Sequence, residues 1–155
     1  MPDTTAEDTA RGIAAEHGNR PDELLEILHD VQSALGFVPE AALPVLAEVL
    51  NLSRAEVHGV VTFYHDFRAK PAGRHVLKLC RAEACQSMGG EALVERAEAH
   101  LGIACGETSA DGRVTLEPIY CLGLCATAPS AMIDGRIVGR MTSERLDALL
   151  KEAGA

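Results

Sequence analysis

The chain has 155 residues, enough for one domain of common size or two small ones, and 47% hydrophobic against 24% charged residues excludes a disordered chain. Its 14 Lys and Arg face 23 Asp and Glu, a formal −9, and residues 1–70 alone hold five basic and twelve acidic side chains; nucleic acid and anionic membranes, which select basic surfaces, are excluded as partners. No run approaches the ~18 apolar residues of a membrane helix, and the acidic start MPDTTAEDTA lacks the basic and apolar stretches of an export signal, so a soluble, cytoplasmic protein is expected.

In chain order, a weak helical pattern covers Ala6–His17. From Pro21 to Leu35 the apolar positions Leu24, Leu25, Leu28, Val31 and Leu35 predict one helical face. Pro21 suits a first helical position, Asp22 and Glu23 the positive helix end, and Gly36 the stop. A second helix is predicted over Pro39–Leu50, with Pro44 marking a kink or a late start. Ser53-Arg-Ala-Glu56 reads as a capping box opening a helix through Tyr64. That helix also resembles part of a DNA-binding pair, a reading the acidic charge rejects. The cluster Phe63-Tyr-His-Asp-Phe67 is expected to be interdomain core. After Lys70-Pro-Ala-Gly73 the period changes to that of strands. Strands are predicted at His75–Cys80, Arg113–Leu116, Ser130–Ile133 and Arg136–Gly139, the last two joined by the hairpin dipeptide Asp134-Gly135. Helices are predicted at Glu91–Leu101 and Ser143–Leu150. The order β-α-β-β-β-α places an α+β or α/β domain after a helical one, and no repeat is visible.

Five cysteines are present, an odd number. In a reducing compartment paired cysteines point to metal or redox chemistry rather than to disulfides. Four form the pairs Cys80-x4-Cys85 and Cys121-x3-Cys125, 35 residues apart. Each pair follows a predicted extended segment, so neighbouring strands would bring four thiols to one sheet end. Three chemistries fit. A [2Fe–2S] cluster takes four thiolates and favours small, turn-forming loops such as those with Gly89, Gly90 and Gly123. Zinc accepts four cysteines but is more often held at tighter spacing. A dithiol catalyst wants Cys-x-x-Cys, which is absent. Cys105 is unpaired and expected to be a small half-buried hydrophobe. His58 and His65, seven apart, are weak ligand candidates, and surface roles suit them better. No Gly-x-Gly-x-x-Gly nucleotide fingerprint occurs. Arg81 either hydrogen-bonds a nearby sulfur or is a solvated surface group. Gly123 is expected to let the backbone approach a cofactor, and Pro129 to fix the chain entering the next strand.

Pro71-Ala-Gly-Arg-His75, Cys80-x4-Cys85, Asp111-Gly-Arg-Val-Thr-Leu116 and Cys121-Leu-Gly-Leu-Cys125 with Ala128-Pro129 together resemble the thioredoxin-like [2Fe–2S] ferredoxin family. That family includes the E subunit of respiratory complex I and related subunits of NAD-reducing hydrogenases and formate dehydrogenases. Gly36-Phe-Val-Pro39, Leu52-Ser53 and Val61-Thr-Phe-Tyr64 resemble its N-terminal helices, so the likeness spans about residues 20–150. It implies an α+β chain, with a helical bundle over 1–70 and a thioredoxin-like ferredoxin domain over 71–155. It implies one [2Fe–2S] cluster on Cys80, Cys85, Cys121 and Cys125, with no catalytic residue and no substrate site on this chain. Leu52–Val60 and Cys80–Gly89 look most like the gamma subunit of cytoplasmic, molybdenum-containing, NAD-dependent formate dehydrogenases. The resemblance then implies a flavin/NAD-binding partner with FMN and a catalytic partner with the molybdenum cofactor. The equivalent subunit of complex I or of an NAD-reducing hydrogenase is the alternative, and a zinc-stabilised structural adaptor is the alternative from another class.

Overall fold

The computed structural model describes residues 2–155. Two compact units divide the chain, the first ending at Pro71 and the second starting at Ala72. Among the described residues no helix is long and apolar enough to cross a membrane.

The first unit has four helices, α1 (Pro2–Glu16), α2 (Leu24–Leu35), α3 (Ala42–Leu50) and α4 (Arg54–Phe63). A 3-10 turn over Pro21–Glu23 precedes α2, and Gly36 ends it at φ 82°. α2 buries Leu24, Ile27, Leu28 and Val31, whereas Leu25, expected on that face, is 37% exposed. The inward stripe is thus rotated toward Ile27. Pro44 lies in the first turn of α3, where its missing N–H costs no helical bond, so the late-start reading holds. Asn51 ends α3 in a left-handed conformation at φ 54°. The capping box on α4 is complete: the Glu56 N–H donates to Ser53 Oγ (3.1 Å) and the Ser53 N–H to Glu56 Oε2 (2.8 Å). Ile27, Leu28, Val31, Leu46 and Val57 are fully enclosed in this unit's core, each contributing about 1.5–3 kcal/mol by burial.

Residues 63–67, expected to be interdomain core, are not buried alike. Phe67 enters the helical core at 8% exposure, whereas Phe63 stands 72% exposed and Tyr64 43%. Phe63 is the last residue of α4, a helix in which Val57 alone is buried.

The second unit is a four-stranded sheet in the order β2-β1-β3-β4, built from β1 (His75–Cys80), β2 (Val114–Ile119), β3 (Ala131–Ile133) and β4 (Arg136–Val138). β1 and β2 are parallel, with Cys80 opposite Ile119, and β3 and β4 are antiparallel. Three helices accompany them: α5 (Glu83–Ser87), α6 (Gly90–Leu101) and α7 (Ser143–Glu152). Leu77 and Leu79, Val114 and Leu116, Ala131 and Ile133 alternate onto one sheet face and share a core with Leu93, Val94, Leu146 and Leu150 from α6 and α7. Asp134 and Gly135 turn the hairpin at φ 49° and 83°, the paired left-handed geometry of a tight hairpin turn. β2 runs three residues past its predicted end, through Pro118. A strand tolerates proline at a sheet edge, where its absent N–H faces outward. Along the outer side of β2 the segment 106–109 adds its own pairing, with Gly106 N–H to the Leu116 carbonyl, Leu116 N–H to Glu107 and Ser109 N–H to Val114.

Candidate metal centre

Parallel pairing of β1 with β2 brings both cysteine loops to one end of the sheet. Cys80 is the last residue of β1, and Cys121 follows β2 by two positions. The Arg81 N–H bonds the Ile119 carbonyl at 2.8 Å, so the two loops leave the ladder together. Between the first two cysteines the chain makes the short helix α5, absent from the sequence reading, which carries Cys85 back toward Cys80. Ser130, just before β3, braces both: its carbonyl accepts from the Cys80 N–H (3.1 Å), and its Oγ lies 3.5 Å from Cys85 Sγ.

Gly90 opens α6 against this loop. A Cβ there would lie 2.7 Å from the Cys85 carbonyl oxygen and 3.3 Å from that of Cys80, so only glycine lets the helix start this close to both cysteine backbones. On the second loop Cys121 is left-handed at φ 88° and Gly123 at φ 76°. A Cβ on Gly123 would meet nothing within 4 Å. Its duty is therefore the backbone conformation and not room for a close approach. That turn aims the Gly123 N–H at Cys121 Sγ (3.3 Å) and sets Cys121 Sγ 3.5 Å from Cys125 Sγ. The Ala128–Pro129 peptide leading into β3 is cis.

The four thiols line one narrow cavity of about 10 Å³ with Leu122, Leu124 and Ser130. They stand as two close pairs and do not crowd one point. Among the described residues no three His, Cys, Asp or Glu side chains group to hold a single ion, His58 and His65 included. Cys80 and Cys85 are buried, at 3% and 2% exposure, while Cys121 and Cys125 are exposed. Burial pushes the Cys80 thiol up, but the Ala82 N–H, Cys85, the Cys121 N–H and Ser130 more than offset it, and it titrates below an ordinary cysteine. Cys125 is pushed up, chiefly by its hydrogen bond and charge repulsion with Cys121 and then by burial and the charge of Cys85. Four sulfurs this close repel one another as thiolates unless a cation shares their charge. The donor set, all sulfur and in two pairs with backbone N–H groups turned to it, would suit an iron–sulfur cluster.

The sulfur that Arg81 approaches is that of Cys105, outside the cavity, and not one of the four cavity thiols. Its guanidinium is committed to Glu91 on α6 through Nε at 3.0 Å and Nη2 at 2.8 Å. Cys105 is half-buried against the sheet core and does not line the cavity. Its thiol is pushed up mainly by burial, with Arg81 opposing. These partners are not legible in the sequence, because Glu91 and Arg81 meet only through the helix start that Gly90 permits.

Fold and site together define a small protein built on a parallel β-α-β unit with an antiparallel hairpin, with four cysteines at one end of its sheet. The family model for thioredoxin-like [2Fe–2S] ferredoxins spans residues 10–154, and the chain belongs to that family. It is 40% identical over 127 residues to the NADH-quinone oxidoreductase E subunit of Pseudomonas aeruginosa, covering 82% of this chain and 76% of that one. To the NADH-quinone oxidoreductase E 2 subunit of Rhizobium meliloti it is 35% identical over 147 residues, covering 95% and 88%. In structure it is similar to a chain of an NAD+-reducing [NiFe]-hydrogenase in the air-oxidised state, with a TM-score of 0.73 and 30% identity. That likeness covers 85% of this chain and 23% of the hydrogenase chain, so this protein spans about a quarter of it.

Proposed function

We propose that this chain is a one-electron carrier that holds a single [2Fe–2S] cluster on Cys80, Cys85, Cys121 and Cys125, and that it works in the cytoplasm beside a flavin/NAD-binding subunit. The observation that carries the reading is the convergence of these four thiols, from two loops, on one cavity. When bound, such a cluster accepts and returns single electrons and does no bond chemistry on a substrate. The chain's own part is to fix the donors. The β1–β2 pairing aligns the loops, Gly90 admits α6, the turn at Cys121–Gly123 points an N–H at sulfur, and burial of Cys80 and Cys85 keeps water from one side. A two-electron donor such as formate or NADH requires a pair-splitting cofactor elsewhere, which motivates a flavin-bearing neighbour.

For the parent complex, the first cysteine loop, Cys80-Arg-Ala-Glu-Ala-Cys-Gln-Ser-Met-Gly89, and Leu52–Val60 favour a molybdenum-containing, NAD-dependent formate dehydrogenase. The names of its relatives favour an NADH-quinone oxidoreductase or an NAD-reducing hydrogenase as much. Iron and sulfide analysis with EPR of the dithionite-reduced chain tests the carrier reading. About two irons per chain and a rhombic S = 1/2 signal are expected, and a colourless, zinc-loaded protein refutes it. Anaerobic isolation from the native host then tests the complex. Formate-dependent NAD reduction with molybdenum supports the first assignment, and its absence beside quinone- or hydrogen-linked activity overturns it.

A further inference from the structure

Two polar side chains are buried among the described residues, Thr115 and Ser130. Thr115 has ordinary partners: its Oγ1 accepts from the Gly73 N–H at 2.7 Å and lies 2.8 Å from the Thr108 hydroxyl. Ser130, at 3% exposure, has sulfur instead. Its Oγ lies 3.5 Å from Cys85 Sγ and also bonds the Cys80 side chain. Among the described residues that line the four-thiol cavity, Ser130 is the one polar side chain besides the cysteines; Ala82, Ala84, Leu122 and Leu124 form the rest of the wall. The backbone at this position has its own duty, because the Ser130 carbonyl accepts from the Cys80 N–H at 3.1 Å. Alanine would serve that bond equally. A hydroxyl buried in an apolar wall is costly unless it makes a hydrogen bond, so the sulfurs are what this one is there to meet.

From this we infer, resting on the cluster reading proposed above, that the Ser130 hydroxyl donates a hydrogen bond to the Cys85 thiolate and thereby raises the potential at which the cluster takes up its electron. A thiolate bound to metal has no proton to give, so the hydroxyl is the donor. Reduction adds one negative charge, part of which falls on the sulfurs, and a bond to a more negative acceptor is stronger. The donor therefore stabilises the reduced state more than the oxidised one. Position decides how much this matters. Cys121 and Cys125 are exposed, so water shares their charge along with the Gly123 N–H. Cys80 and Cys85 are 3% and 2% exposed, and no solvent replaces a lost donor there. Cys80 also has the Ala82 and Cys121 N–H groups. Cys85 has the hydroxyl.

The test uses the full, iron-loaded chain and reads its midpoint potential by redox titration followed by EPR, with resonance Raman spectra of the oxidised chain. Ser130→Ala should lower the equilibrium constant for one-electron reduction about tenfold, a shift of about 59 mV to more negative potential. Its Fe–S(Cys) stretching bands should rise in frequency, because a hydrogen bond draws charge from sulfur and weakens the bond to iron. Ser130→Thr, which keeps the hydroxyl, should hold the unaltered potential. Thr115→Val removes the other buried hydroxyl, outside the cavity, and should also leave the potential unchanged. An unaltered potential and unaltered bands in Ser130→Ala overturn the inference, as does an equal shift in Thr115→Val. If alanine prevents iron loading, Ser130→Thr decides: the unaltered potential supports the donor role, and a shifted one overturns it. An unaltered chain that takes up no iron refutes the cluster reading itself, an outcome distinct from a loaded chain whose potential ignores Ser130.

Discussion

Gly90→Ala is the sharpest probe of how the fold holds its cysteines. The added methyl carbon would lie 2.7 Å from the Cys85 carbonyl oxygen, 3.0 Å from its carbon and 3.3 Å from the Cys80 carbonyl oxygen. Ordinary contact begins near 3.4 Å, so the backbone of both cysteines must retreat from α6 by several tenths of an ångström. Overpacking of this kind costs about 1–3 kcal/mol. Alanine returns up to about 1 kcal/mol of helix propensity, less at a first helical position, which leaves a net loss of about 1–2 kcal/mol. In a unit of this size that lowers the melting temperature by roughly 5–15 °C. The same shift moves both cysteines of the first pair relative to Cys121 and Cys125, so iron per chain should fall as well. Thermal melts followed by circular dichroism, with and without reconstitution, read both effects. Gly12→Ala in α1, where a Cβ meets nothing within 4 Å, is the matched control and should stabilise the helical unit by about 0.5–1 kcal/mol. A Gly90→Ala chain that melts at or above the unaltered temperature with full iron content would refute the steric reasoning.

Glu91→Gln leaves the Arg81 charge unbalanced beside Cys80 and should raise the midpoint potential of the bound cluster, whereas Arg81→Gln should lower it. The pair is a third or more exposed, so solvent screens both shifts; a redox titration followed by EPR reads them, and equal potentials in all three chains would show that the pair is electrostatically silent. His17 bridges Glu23 (2.6 Å) and Asp30 (2.8 Å), bonds that raise its pKa. Its contribution is fully present below the unfolded value of about 6.5 and is lost as pH rises through the higher folded value. Denaturant melts of the helical unit should therefore weaken across that window, and a His17→Gln chain should lack the slope. Ser53→Ala removes the cap of α4 and should cost about 1 kcal/mol by the same melts. Cys105→Ala should leave iron content and visible spectrum intact, since Cys105 lies outside the cavity; loss of the spectrum would show that a fifth thiol is a ligand.

The periodic helices, the capping box, the Asp134-Gly135 turn and the two cysteine pairs are legible because each is a local pattern with a local cause. What carries the four thiols to one place is not local. The parallel β1–β2 register can only be assumed from sequence, and the structure supplies it. α5 escapes notice because five residues give no period, and the end of β2 because Pro118 reads as a breaker unless the strand is known to lie at an edge. Leu25 and Ile27 are equally apolar in sequence; which one turns inward is decided by packing between helices. The aromatic cluster misleads for the opposite reason, since composition alone places phenylalanines inside and cannot see that Phe63 stands on an exposed face of α4 while Phe67 turns into the core.

Both borders of the sheet are finished in ways that bear on how the chain meets other chains. Along β2 the outer hydrogen-bonding groups are taken up by residues 106–109 as far as Leu116, and Pro118 offers no N–H beyond. At the other border β4 has three residues, and its Arg136 is paired with Glu152 at 2.8 Å. Neither edge offers a long open ladder to a second chain. Amyloid-type stacking and edge-to-edge pairing of sheets are thereby disfavoured, whatever the four thiols hold.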